Sequence, residues 1–137
     1  MKIIKKEIVI DAPVAKVWEY IVDPKKLARW LMPNDFEARI GMTFSMECPT
    51  GTTIACVVKE ILPPEKLVYS FKSNEMNIET LVTFLLAPEG NGTRLTLVHS
   101  GWDSLPPSEQ EEIAGGFDEG WGRFLGKLEA EFAAAAK

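Results

Sequence analysis

Residues 93–132, TRLTLVHSGWDSLPPSEQEEIAGGFDEGWGRFLGKLEAEF, decide the fold. The stretch opens with strand alternation: Leu95, Leu97 and His99 fall on one face, Arg94, Thr96 and Val98 on the other. Gly101-Trp102 and Pro106-Pro107 then break the ladder. Ser108-Glu109-Gln110-Glu111 has capping-box spacing, which predicts Ser108 as N-cap and Glu111 as its partner three positions on. Beyond it the period changes from that of a strand to that of a helix. Ile113, Phe117, Trp121, Phe124, Leu125, Leu128 and Phe132 fall within about a third of the helix circumference, opposite Asp118, Glu119, Arg123 and Glu129. A single long helix with one broad apolar face must close over something apolar. The space beneath it is either solid core or a hollow, and that choice decides what the protein does.

The residues upstream supply the surface to be covered. Residues 2–10 are rich in Ile and Val and predict a strand. Asp11 as N-cap and Pro13 in the first turn predict a helix to about Val22, with Val14, Val17, Trp18 and Ile21 on one side. Asp23-Pro24 repeats the start signal for a short helix ending near Leu31, before Pro33. From about Asp35 the period is two. Phe44, Met46 and Cys48 alternate with Ser45 and Glu47, and Thr50-Gly51 marks a turn. Ile54, Cys56 and Val58 begin another strand, Pro63-Pro64-Glu65-Lys66 marks a second turn, and Leu67, Tyr69 and Phe71 then alternate with Val68, Ser70 and Lys72. A polar stretch at 73–77 precedes a strand at 78–87, and residues 88–92 compose a hairpin loop. The order is strand, two helices, a meander and a long terminal helix. One bent antiparallel sheet around a helix satisfies that order with short connections, giving an α+β single domain over residues 1–137.

Composition narrows the function. The chain has 137 residues, a net charge of −5 and a pI near 5.0, so it lacks the basic footprint that nucleic acid requires. No apolar run approaches the ~20 residues that span a bilayer, and the N-terminal runs are too short for a secretory signal, so a cytoplasmic protein is expected. A single histidine and no CxxC pair leave little for a zinc site, and neither a metal nor an organic cofactor is expected. Cys48 and Cys56 read as buried thiols.

Four segments in order, IVIDAPVAKVWEYIVDPKKLARW, PPEKLVYSF, NGTRLTLVHSGW and GWGRFLGKLEAEF, resemble the START-like (SRPBCC) superfamily across essentially the whole chain. Within it they resemble the branch named after the activator of the ATPase of the ninety-kilodalton heat-shock chaperone. The resemblance implies the helix-grip fold: a curved seven-stranded antiparallel sheet wrapped around the C-terminal helix, with a hydrophobic cavity between them. It also implies a functional range that includes lipid carriers, polyketide cyclases, hormone receptors and stress-related chaperone cofactors. Trp30-Leu31 stands where members of this branch often carry a tryptophan pair.

The candidate site is the underside of the terminal helix and the sheet face opposite it. Phe117, Gly120, Trp121 and Phe124 come from the helix, and Phe44, Met46, Tyr69, Phe71, Phe84, Leu97 and His99 from the strands. Trp30, Met32 and Trp102 belong to the segments expected at the mouth. The aromatic stripe is either plain core or a pocket lining, and methionine favours a pocket that adapts to several shapes. Gly115, Gly116, Gly120, Gly122 and Gly126 each cost a helix about 1 kcal/mol relative to alanine. Either Gly115-Gly116 breaks the helix and the others permit close packing, or Gly116 and Gly120 leave room for a ligand. His99 is either a base or ligand-orienting group, or a hydrogen-bonded core histidine. The expected activity is binding of a small hydrophobic molecule, aromatic, polyketide- or lipid-like, with His99 or Tyr69 setting its orientation. The alternatives are a cyclase or dehydratase in the same pocket, and an interaction protein that stimulates a chaperone.

Overall fold

The computed structural model describes residues 3–47, 51–73 and 78–135. Strand β1 (Ile4–Ile10) leads to helices α1 (Val14–Val22) and α2 (Pro24–Trp30). Strands β2 (Thr43–Glu47), β3 (Thr53–Leu62), β4 (Lys66–Ser73), β5 (Thr80–Glu89) and β6 (Gly92–Ser100) follow. A 3-10 turn at Trp102–Ser104 then hands the chain to helix α3 (Pro107–Ala135). One antiparallel sheet has the order β1-β6-β5-β4-β3-β2. The meander from β2 to β6 needs only short turns, and β1 closes against the last strand, with Ile4 opposite His99.

The six strands read from alternation are all present, whereas the seventh implied by the family resemblance is not found among the described residues. Its nearest counterpart is the segment alongside β2, where Glu47 N–H donates to the Pro33 carbonyl and a single bridge joins Asn34 to Met46. Pro33 has no N–H to extend that ladder. The Asn34 amide turns instead to the carbonyls of Met32 (2.9 Å) and Pro24 (3.3 Å), so local side-chain bonds win over pairing. Cys48, Thr50 and most of the polar stretch at 73–77 lie outside the described residues.

Three boundaries differ from the sequence expectation. Pro13, in extended backbone, precedes α1 without any side-chain cap, so Asp11 is not the N-cap. Helix α3 begins at Pro107, placing Ser108 inside its first turn; the N–H groups of Glu109 and Gln110 donate to the Pro106 carbonyl, which starts the helix two residues early. The predicted five-residue loop shrinks to Gly90-Asn91, because Pro88 and Glu89 pair with Thr93 and Gly92. Pro88 is tolerated there because β4 pairs with β5 no further than Leu85, so no ladder bond is lost on that side. The Asp23 cap is as expected, its carboxylate accepting from Lys25 N–H at 2.9 Å.

The inner sheet face carries Phe71, Phe84, Leu95, Leu97 and His99, all buried, and Val17, Ile21, Trp30 and Trp102 pack beneath it. Helix α3 seals this core with Ala114, Trp121, Leu125 and Leu128. Ion pairs Lys6–Asp118 (3.1 Å) and Arg29–Glu131 (3.0 Å) tie α3 to β1 and α2 at the surface, where each is worth at most about 1 kcal/mol.

Gly92 carries the tightest backbone approach: a Cβ there would lie 2.5 Å from the Ile10 carbonyl oxygen, at the β1–β6 junction. Gly92→Ala is therefore expected to lower stability by roughly 1–3 kcal/mol, whereas Gly122→Ala, on an open helical position, is expected to raise it by up to about 1 kcal/mol. Urea midpoints of the two variants check this; the reverse order would refute the placement of β1 against β6.

Candidate ligand-binding site

A groove of about 520 Å³ runs between α3 and the β3–β4 end of the sheet. Met32, Ile54 and Phe71 form one side, Ile113, Gly116, Phe117, Gly120, Trp121 and Phe124 the other, and Glu112 and Arg123 stand at its edge. The groove opens to solvent along the helix. Of the residues expected from sequence, it brings together Met32, Phe71, Phe117, Gly120, Trp121 and Phe124. Trp30, Met46, Tyr69, Phe84, Leu97, His99 and Trp102 are buried behind it in the core. Phe44 edges a separate hollow of mixed character with Asp35, Ser45, Cys56 and Lys72. Ile54, Glu112, Ile113 and Arg123 join the groove without having been singled out for it. Ile113 shares the stripe of Phe117 and Trp121, so helical spacing already pointed to it.

The glycines separate the alternatives left open by sequence. Helix α3 runs unbroken through Gly115-Gly116. A Cβ built at Gly115, Gly116, Gly120, Gly122 or Gly126 would meet nothing within 4 Å, so close packing is not what any of them provides. Gly116 and Gly120 sit one turn apart on the groove wall, and side chains there would project into its space. Nothing in the structure explains Gly115, Gly122 and Gly126.

The groove wall is continuous with the core. The Trp121 ring stands edge-on to Phe84 with centroids 6.1 Å apart, and Phe117 stands edge-on to Phe71 at 5.5 Å. Trp121 Nε1–H donates to His99 Nδ1 at 3.0 Å. That assignment leaves His99 Nε2–H to donate to Thr80 Oγ1 (2.7 Å), whose own hydroxyl donates to the Phe71 carbonyl (2.9 Å). Trp102 Nε1–H closes the corner by donating to the His99 carbonyl (3.1 Å). The sole histidine thus has both ring nitrogens committed, is fully buried, and does not reach the groove. Burial pushes its pKa down to about 3, so it is neutral at physiological pH.

Burial also pushes the Cys56 thiol up to about 12, which removes a thiolate nucleophile, and raises Tyr69 well above the usual phenol value. Among the described residues no cluster of three or more His, Cys, Asp or Glu side chains has metal-binding geometry, and no helix is long and apolar enough to cross a membrane. The arrangement offers shape and apolar surface, with its polar groups turned into the core or out to the rim.

An antiparallel sheet closed by a long C-terminal helix over an apolar groove is the helix-grip architecture of START-like (SRPBCC) proteins. More narrowly, the family described as Activator of Hsp90 ATPase homolog 1-like protein matches residues 11–133, and the chain belongs to it. The crystal structure of MLL2253 from Mesorhizobium loti is similar at 30% identity and a TM-score of 0.84, over 94% of this chain and 95% of that one. The solution structure of BH1534 from Bacillus halodurans is similar at 34% identity and a TM-score of 0.79, over 96% and 97%. DynU16, a protein in the dynemicin biosynthetic locus, shares the fold at 23% identity and a TM-score of 0.82, with this chain matching 46% of its length. No curated protein sequence matches the chain.

Because His99 is neutral when folded and gains a proton near its ordinary pKa when unfolded, the unfolded state binds more protons between about pH 6.5 and about pH 3. Stability should therefore fall as pH drops through that window, by up to about 1.4 kcal/mol per pH unit from this residue alone. His99→Gln, which keeps an acceptor for Trp121, is expected to flatten the decline between pH 6.5 and 4 in urea titrations; an unchanged slope would refute the buried neutral state.

Proposed function

We propose that this protein is a cytoplasmic binding protein that holds a small, largely apolar molecule, aromatic, polyketide- or lipid-like, in the groove beneath α3. The observation that carries this is the pair Gly116 and Gly120: two glycines in a helix interior, each costing about 1 kcal/mol of helix propensity, with open space where their side chains would stand. Nothing in the packing asks for them, whereas an occupant of the groove does. Burying about 200 Å² of ligand apolar surface would supply about 5 kcal/mol before the costs of immobilising it. Met32 gives the wall an unbranched, adaptable side chain, which suits a site that accommodates more than one shape.

Binding is favoured over catalysis because the best catalytic candidate from sequence, His99, spends both ring nitrogens within the protein and lies behind the groove. The family's name points to a chaperone partner. The exposed large apolar residues are Ile3, Val9, Ile40, Leu62, Leu81 and Leu85; on the sheet, Val9 pairs with Arg94, Leu62 with Lys66, Leu81 with Ser100, and Leu85 with Thr96 and Lys66, so polar side chains stand between them.

Filling the groove without disturbing the core tests this directly. Gly120→Leu and Gly116→Leu are expected to cut uptake of the neutral fluorophore N-phenyl-1-naphthylamine at least tenfold while leaving the thermal midpoint unchanged or higher. Gly122→Leu, on an exposed position off the groove, should leave uptake intact. Equal uptake by all three variants and the parent would overturn the proposal.

A further inference from the structure

The groove is apolar along its length, so what sets the orientation of a guest must come from a polar atom at its margin or behind it. The sheet offers two such groups in one cross-strand row, for Val82 pairs with His99 on one side and Tyr69 on the other. His99 is saturated by Trp121 and Thr80. Tyr69 is not: its hydroxyl is fully buried and has no hydrogen-bond partner, which is true of no other buried side-chain polar atom among the described residues. A buried hydroxyl without a partner costs stability, and native interiors rarely retain one without a use.

Its position relates it to the groove. Tyr69 lies two residues before Phe71 on the same face of β4, about 7 Å along the strand, and Phe71 lines the groove. The Tyr69 ring packs on Phe84 with centroids 6.2 Å apart, and Phe84 in turn packs on Trp121 of the groove wall. Tyr69 is thus connected to the groove wall through Phe71 along the strand and through Phe84 across the sheet, and Met32 gives that wall an unbranched, adaptable side chain.

We infer that the Tyr69 hydroxyl is the polar contact of this site, donating a hydrogen bond to a neutral oxygen, of the ketone or ester carbonyl class, on an otherwise apolar ring-bearing ligand that enters past Met32. A carbonyl satisfies a lone donor without bringing a charge inside. A carboxylate would have to shed its hydration in a region lined by Phe44, Phe84 and Val58, with no buried cation among the described residues to meet it. The inference rests on the groove's proposed role as a ligand site and adds the chemistry of the guest.

Three naphthalenes separate the outcomes by calorimetric titration of the intact protein: 2-acetylnaphthalene, its isosteric alkene 2-isopropenylnaphthalene, and 2-naphthoate. The ketone is expected to bind about tenfold tighter than the alkene, and the two to bind equally in Tyr69→Phe. The thermal midpoint of Tyr69→Phe should stay at or above the parent's, since the variant removes only an unsatisfied hydroxyl. A lower midpoint would mean that the hydroxyl is already bonded within the fold and would overturn the inference. So would a ketone preference that survives in Tyr69→Phe, or equal binding of both neutral probes to the parent. Tightest binding of 2-naphthoate, lost in Arg123→Gln, would put the polar contact at the rim and also overturn it. Failure of both neutral probes to bind would instead overturn the groove's proposed role, and the inference with it.

Discussion

The hydrogen bond from the Trp121 indole to His99 Nδ1 fixes how the terminal helix sits on the sheet. It joins the middle of α3 to the inner face of β6, and it works only while the imidazole is neutral with Nδ1 unprotonated. Burial enforces that state and Thr80 completes it by receiving the other ring proton. The bond's net worth is about 1 kcal/mol, but losing it strands an indole N–H and an imidazole nitrogen in the interior at about 1–3 kcal/mol each. The asymmetry makes the contact a registration device. It holds the Trp121 ring at one angle, and that ring is a wall of the groove.

A helix with five interior glycines would be marginal by itself, and α3 forms because of what lies beneath it. Ala114, Trp121, Leu125 and Leu128 are buried against the core while the groove side of the same helix is left thin. Stability and vacancy are thus separated around the helix axis: one arc is packed, and the neighbouring arc, at Gly116 and Gly120, is kept open. Such a separation lets the groove be reshaped by substitution without loosening the fold, a property expected of a family whose members share an architecture and differ in what they do.

Most strands were legible because they alternate, as with Leu95, Leu97 and His99 against Arg94, Thr96 and Val98, whereas β1 alternates imperfectly and is legible from its Ile and Val content. The α3 stripe was legible for the same reason at the helical period. The start of α3 was not, since Ser108 and Glu111 have the spacing of a cap and only the rigid Pro106-Pro107 geometry shifts the helix back by two residues. The seventh strand, not found among the described residues, is a similar case: a family-level expectation yields to Pro33 and to an Asn34 side chain that satisfies local carbonyls. Within the site, periodicity identified the inward face but could not say how deep each residue lies. Phe71 and Tyr69 are equivalent by parity, yet one lines the groove and the other lies behind it. That distinction depends on how far α3 and the segment around Met32 cover each row of the sheet, which is a property of the assembled layers.

Depth also explains why the two polar residues of the inner face have opposite fates. His99 lies under Trp121 and Trp102, close to the corner where the chain turns into α3, and finds a donor on the helix and an acceptor on the sheet. Tyr69, one strand beyond Val82, meets Phe44 and Phe84 instead, and rings offer its hydroxyl no acceptor. A phenylalanine in its place would pack equally well and would not bury an unsatisfied hydroxyl. Folding alone therefore gives no reason for the oxygen, just as packing alone gives no reason for Gly116 and Gly120. The two anomalies meet near Phe71, which lines the groove with Gly116 and Gly120 and stands two residues after Tyr69 on the same face of β4. A guest resting in the space left by the glycines and extending past Phe71 towards Tyr69 would account for both at once.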